Sequence, residues 1–297
     1  MADEESLRKR TRDWTVAGQV WELGERPRIM GIVNVTPDSF SDGGQWLATG
    51  AAVDHALQLA ADGADVLDIG GESTRPNSTP VSTEEELRRV IPVIEQLTAQ
   101  TDVPISIDTM KAAVAREALQ AGARIVNDVT ALRFDDQMSE VCAASDCGVI
   151  IMHMLGTPQT MQEDPRYDDA VREISGFLSQ RTDELEQAGI ARSRIMVDPG
   201  IGFGKTPQHN LEILQNIEAL RSFGRPVLIG HSRKQFLGKL LGRKVDDRLA
   251  GTVGISIALA SQHTDMIRVH DVKAVRDALL CWERIVCGLP DRGSDPA

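Results

Sequence analysis

Residues 194 to 206 read RIMVDPGIGFGKT. The first part is a short apolar run of strand length that ends in Asp198, and the rest is a glycine-rich turn closing on Lys205 and Thr206. A triphosphate-cradling loop of the pattern Gly, four residues, Gly-Lys-Thr would need a glycine at position 199, where this chain has Pro199. The stretch therefore reads as a strand that carries an acidic residue to its C-terminal end and turns tightly into a helix.

Seven other runs share that design: RIMGIVNV (28–35), DVLDIG (65–70), PISID (104–108), RIVNDV (124–129), GVIIMHM (148–154), PVLIGHS (226–232) and MIRVHD (266–271). Between them lie segments of helical periodicity. Ser82 followed by Glu85 predicts a capping box, and Leu87, Val90, Ile91, Ile94 and Leu97 then share one face, with Pro92 as a candidate kink. KAAVAREALQAGA, YDDAVREISGFLSQRTDELEQAGI and HNLEILQNIEALRSFG each predict one helix ending at a glycine. Strands apolar enough to be buried on both faces, each followed by a helix, predict a single-domain TIM (β/α)8 barrel over 27–288, with a doubly wound open sheet as the alternative. WTVAGQVWEL (14–23) predicts a short hairpin within an N-terminal segment, 1–26, placed to plug the barrel's N-terminal mouth. Residues 289–297 are expected to form a flexible tail.

A net charge of −12 argues against a nucleic-acid-binding face, so an anionic ligand needs a local basic cluster. No stretch approaches a membrane span, and the charged start MADEESLRKR has no apolar leader core, so a cytoplasmic protein is expected. The four cysteines, Cys142, Cys147, Cys281 and Cys287, lack C-x-x-C spacing and are expected to be reduced thiols.

In such a barrel the active site sits at the C-terminal strand ends. Asn34, Thr74, Arg75, Asp108, Asn127, Asp128, Met152, His153, Asp198, Ser232, Arg233, Lys234, Arg268 and His270 all fall there. Singly, each has an ordinary explanation as a turn former or helix cap. Asp128 and Ser232 fit caps, His153 fits a packed histidine, and Asp62, Asp65 and Asp68 fit turns and solvated faces. Capping does not explain Asp108, Asn127 and Asp198 gathered opposite Lys234 and Arg268 in an acidic chain. Carboxylates and amides together suit a heterocycle bearing both N–H donors and carbonyl acceptors, and the cations suit an anionic group such as a phosphate. The loop NVTPDSFSDGG supplies Asn34, Asp38 and Asp42 as oxygen ligands for magnesium on a mobile lid, or else is a plain turn.

With GIVNVTPDSFSDGG, DIGGESTRP, SIDT, IVNDV, MHM, DPGIGFGKT, SRK and RVHDV in this order from about Arg28 to Cys287, the chain resembles the dihydropteroate synthase family of pterin-binding barrels. The resemblance implies condensation of 6-hydroxymethyl-7,8-dihydropterin diphosphate with para-aminobenzoate, releasing diphosphate. It implies Asp108, Asn127 and Asp198 as readers of the pterin edge, Met152 as an apolar wall and Lys234 near the pterin carbonyl and ring nitrogen. Arg268 would stack on the pterin and, with His270 and Asn34, touch the diphosphate. Phe203, Thr74, Arg75 and Ser232 would bind the aminobenzoate, with Ser232 opening a helix whose free N–H groups hold its carboxylate. Asn34 and Asp42 would order Mg2+, so that Asp42, Lys234, Arg268 and His270 make the catalytic set. A homodimer through ALLCWERIV and GISIALA is also implied, and the retention of Pro76 and Ser232 implies sulfonamide sensitivity. Ile201 stands where many members carry Phe. The competing readings are a pterin-dependent methyltransferase and a catalytically inactive pterin-binding paralogue.

Overall fold

The computed structural model describes residues 12–24, 26–35, 44–74, 78–157 and 160–288, with side chains of the first helix described from residue 49. A two-stranded antiparallel hairpin comes first: β1 (Arg12–Val16) and β2 (Gln19–Leu23), in register from Arg12 opposite Leu23 to Val16 opposite Gln19. Then follow β3 (Arg28–Asn34), β4 (Val66–Gly70), β5 (Ile105–Asp108), β6 (Ile125–Asp128), β7 (Gly148–Met152), β8 (Ile195–Asp198), β9 (Leu228–Ile229) and β10 (Met266–Val269). All neighbouring pairs among these eight are parallel, in the order β8-β7-β6-β5-β4-β3-β10-β9. A parallel bridge between Val197 and Val227, with Val197 N–H donating to Pro226 O at 2.9 Å, joins the two ends and closes the barrel. The open-sheet alternative is therefore set aside.

Strand side chains alternate between faces, and here both faces are buried. Outward residues such as Ile29, Val33, Leu67, Ile69, Val126, Ile151, Val197 and Ile267 pack in the main core, against helix residues such as Ile94, Leu178 and Leu279. Inward residues Met30, Val66, Ile125, Ile150, Met196, Leu228 and Met266 form a second apolar layer with Trp14, Val16 and Leu23 of the hairpin. The hairpin is fastened from below: Trp14 Nε1 donates to Arg194 O at 2.8 Å and Ala17 N to Asp146 O at 3.0 Å. It thus plugs the barrel at the N-terminal ends of the strands, the place expected for it.

Several local expectations are corrected. Ser82 Oγ caps Glu85 N, but the Glu85 carboxylate turns to Arg88 and Arg89 instead of the cap, so only half of the capping box forms. Pro92 is accommodated within the continuous helix Thr83–Thr98. HNLEILQNIEALRSFG is two helices, Pro207–Gln215 and Ile217–Arg221, because Asn216 leaves the helical region while its side-chain amide donates to Glu212 O at 2.7 Å. Helix Gln235–Leu241 starts three residues beyond Ser232.

Candidate active site at the barrel mouth

Two residues further along the inward face, the apolar layer gives way to polar groups on β4, β6, β8 and β10, while β3 keeps Ile32 and β7 keeps Met152. Asp68, Asn127, Met152, Asp198, Gly230 and Arg268 occupy these positions on β4, β6, β7, β8, the end of β9 and β10. Cross-strand register sets Asp108 beside Asn127 and Met152 beside Asp198. Gly230 marks the centre: a Cβ there would lie 3.7 Å from Lys234 Nζ, 3.8 Å from Asp198 Oδ2 and 3.9 Å from Arg268 Cβ. Asp108, Asn127, Asp198, Lys234 and Arg268 therefore converge, as the strand-end pattern predicts.

Arg268 lies between two carboxylates. Its Nε donates to Asp68 Oδ2 at 2.6 Å and its Nη2 to Asp108 Oδ2 at 2.7 Å. The assignment of Asp68 to a turn or solvated face is wrong, since it is fully buried inside the barrel and also accepts from Asn127 Nδ2 at 3.2 Å. Asp65 does stand in the bend before β4, but it is not solvated: it accepts from Arg28, Arg276 and the Ile29 amide. Asp62 keeps the assigned place, half-buried in the turn that ends the first helix, where it accepts from Gln58 Nε2 at 2.9 Å.

Burial shapes the charges. It raises the Asp108 carboxyl to about 7, with nearby Asp68 adding to the effect and Arg268 opposing it. Burial likewise raises Asp198, against the pull of Lys234, and lowers the Lys234 ammonium to about 8, against the pull of Asp198. Lys234 also donates to Ile201 O and lies 4.5 Å from the Phe203 ring centroid.

The loop after β8 is held from several sides. Asp198 Oδ1 accepts from Gly200 N at 2.7 Å, Asn210 Oδ1 accepts from Gly202 N at 2.7 Å, and Tyr167 donates to Gly204 O at 2.9 Å. Gly200, at φ +70°, runs so close to the β7 end that a Cβ would sit 2.0 Å from His153 O. Buried Lys205 is a strut: Nζ donates to Phe203 O at 2.9 Å and lies 3.1 Å from His153 Nδ1. His153, packed against Tyr167 and Phe177, is thus the packed histidine expected of it. Thr206 caps the following helix in a reciprocal capping box with His209. Ile201 is fully buried in the main core.

Ser232 does not open a helix. Its Oγ lies 3.0 Å from His270 Nδ1 and accepts from His270 N at 3.2 Å, which ties the turn after β9 to the end of β10. Arg233, at φ +56°, donates from Nε to Asp271 Oδ2 at 2.9 Å. Asp128 caps no helix, since the next begins at Met138; it forms a turn instead, accepting from Thr130 N at 2.7 Å and Leu132 N at 3.2 Å. Met152 joins an apolar cluster with Val129, Met154 and Met161, against which Met110 and Phe203 pack. Met110 and Met161 escape a strand-end reading because both lie on loops outside the apolar runs.

Asn34 ends β3 half-buried, beside Gly70 in register, and Thr74 is half-buried at the edge of the second loop. Asp38, Asp42, Arg75 and Pro76 lie outside the described residues, as does the proposed tail. Among the described residues no three His, Cys, Asp or Glu side chains gather as a metal cage. The one hard oxygen that Asn34 offers fits a Mg2+ ion carried mainly by substrate phosphates and water. Cys142, Cys147 and Cys281 are free thiols, and no described helix is long and apolar enough to cross a membrane.

The family model described as "Pterin binding enzyme" matches residues 30–270. Dihydropteroate synthase of Escherichia coli (strain K12) is 44% identical over 253 residues, covering 85% of this chain and 89% of that protein. The structure of Xanthomonas albilineans dihydropteroate synthase with 4-aminobenzoic acid superposes with a TM-score of 0.87 at 48% identity, covering 94% of this chain and 100% of that one. That of the Yersinia pestis dihydropteroate synthase with a sulfonamide drug gives a TM-score of 0.86 at 42% identity, covering 91% and 98%.

Proposed function

The chain belongs to the dihydropteroate synthase family of pterin-binding enzymes, and from this premise we propose how its barrel mouth performs the family's reaction. The enzyme is a transferase that condenses 6-hydroxymethyl-7,8-dihydropterin diphosphate with para-aminobenzoate to 7,8-dihydropteroate and diphosphate. Five polar groups, Asp108, Asn127, Asp198, Lys234 and Arg268, on one closed mouth carry the assignment of substrate roles. The named relatives are synthases, which favours turnover over a methyltransferase or an inactive paralogue.

Asp198, Asp108 and the Asn127 carbonyl accept hydrogen bonds from the pterin amino edge and ring N–H groups. Lys234 donates to the pterin carbonyl and ring nitrogen, and Met152 forms the apolar wall. Phe203, Thr74, Arg75 and Ser232 border the aminobenzoate. The aniline nitrogen attacks the exocyclic methylene of the pterin, the bond from that carbon to the diphosphate oxygen breaks, and the anilinium proton passes to solvent. A weakly basic aniline needs no proton removed before attack, so the catalytic demand is stabilisation of departing charge. Arg268 and His270 hold the diphosphate as it leaves, and Asp42 helps close the site. Asn34, with Asp42, is the proposed holder of Mg2+, which when bound neutralises diphosphate charge. The enzyme works in the cytoplasm as a homodimer, whose contact includes the helices Leu249–Ser261 and Val272–Trp282 and the exposed Ile285 and Val286 that follow them.

The test is direct. Purified protein mixed with the pterin diphosphate, para-aminobenzoate and Mg2+ releases diphosphate only when all three are present, and a sulfonamide competes with para-aminobenzoate. Release without para-aminobenzoate would refute transfer to the aniline.

A further inference from the structure

Asp68 is an anomaly in its strand. β4 reads VLDIG, is buried at every position, and has a carboxylate at its centre. A buried carboxylate without a partner costs far more than one apolar contact returns, so its partners define its role. The described structure supplies two, Arg268 Nε at 2.6 Å and Asn127 Nδ2 at 3.2 Å, both on the same oxygen, Oδ2. Both partners are substrate-facing groups on other strands. The second oxygen, Oδ1, is buried and has no hydrogen-bond partner among the described residues.

Each contact removes an ambiguity. An asparagine amide can present either its oxygen or its nitrogen, and a carboxylate below accepts only from the nitrogen. With Nδ2 held by Asp68, Asn127 Oδ1 is left as an acceptor for a ligand N–H. Arg268 is shared unequally: the Asp68 side chain is 0% exposed and that of Asp108 13% exposed. A ligand entering from the mouth reaches the Asp108 contact before the Asp68 contact.

We propose that Asp68 is a positioning residue for the pterin half-site: it anchors Arg268 through Nε and orients the Asn127 amide, while Asp108 exchanges its Arg268 contact for the pterin. This rests on the assignment of the mouth to pterin diphosphate. The guanidinium swings about a fixed Nε, freeing Asp108 Oδ2 to accept from the pterin and Nη2 to face the ring and diphosphate.

Steady-state kinetics with Asp68→Asn, beside wild-type enzyme, test it. The expected result is a fall of roughly tenfold or more in kcat/KM for the pterin diphosphate, with KM for para-aminobenzoate within about twofold of wild type. In the Arg268→Ala and Asn127→Ala backgrounds the same change should cost at least about threefold less, because contacting residues couple. Undiminished losses in both backgrounds, parallel loss of both substrates, or wild-type kinetics in Asp68→Asn would overturn the proposal. Should Asp68→Asn fail to fold, the wild-type enzyme crystallised with 6-hydroxymethylpterin decides: Asp68 still bonded to Arg268 Nε and Asn127 Nδ2 supports it, and Arg268 departed from Asp68 sinks it. Wild-type turnover is measured first, so a wrong substrate assignment shows as no diphosphate release at all, separately from any effect of Asp68.

Discussion

The two inward-facing layers of the barrel come from the same strands and lie two residues apart, yet they differ in almost every physical respect. The lower one, Met30, Val66, Ile125, Ile150, Met196, Leu228 and Met266 beneath the hairpin's Trp14, is apolar and complete without a ligand. The upper one, Asp68, Asn127, Asp198 and Arg268 with Asp108 and Lys234, holds buried charges that partly cancel one another. Burying each large apolar side chain below stabilises the fold by about 1.5–3 kcal/mol, whereas a buried ion pair above contributes little net stability. The fold can hold a charged mouth because the layer beneath it is apolar and buried, and burial in the same interior moves Asp108 and Lys234 toward neutral pH.

The largest effect that would sharpen this contrast is Trp14→Ala. Removing the plug should cost about 3–5 kcal/mol in denaturant unfolding while leaving kcat/KM per folded molecule unchanged. A selective loss of turnover with normal stability would break the division of labour. Next comes Arg268→Ala, which removes the cation between two carboxylates and the group proposed to meet the diphosphate. Single-turnover rates should fall about 10²- to 10³-fold, and near-normal turnover would refute the role given to that residue.

A smaller effect is expected with pH. Asp108, raised to about 7, is the acceptor proposed for the pterin, so kcat/KM for the pterin diphosphate should rise as pH climbs through about 7. It should fall again above about 8 as Lys234 loses its proton. Asp108→Asn should flatten the acid limb. The stability sign is opposite: a carboxyl whose folded value is raised favours the fold most at low pH, below its unfolded value, and this contribution is lost as pH rises through about 7. An acid limb that survives in Asp108→Asn would assign it to another group.

How far the sequence could be read follows from range. The eight strands, the parallel closed sheet, the hairpin plug and the family were legible, because apolar runs, glycine stops and ordered motifs are local patterns. So was the gathering of Asp108, Asn127, Asp198, Lys234 and Arg268, because a parallel barrel brings every C-terminal strand end to one rim. Asp68 was misread, since an aspartate inside an apolar run looks like a turn former until a guanidinium from β10 is found beside it, 200 residues away. Its inward parity with Gly70 was the available signal. Ser232 was misplaced because the chain turns for two further residues before the helix begins and its hydroxyl turns to His270 instead.

The sequence by itself determined which apolar runs become strands, where most of the helices lie, and which residue types reach the mouth, since periodicity and chain-local sterics suffice for these. Only the tertiary structure decided which charge meets which: Arg268 with Asp68 and Asp108, Lys205 with the Phe203 carbonyl, Asn127 with Asp68. A hydrogen bond is fixed to tenths of an ångström by the register and tilt of strands remote in the chain, and in a buried site those distances determine which groups are charged and which remain free to bind.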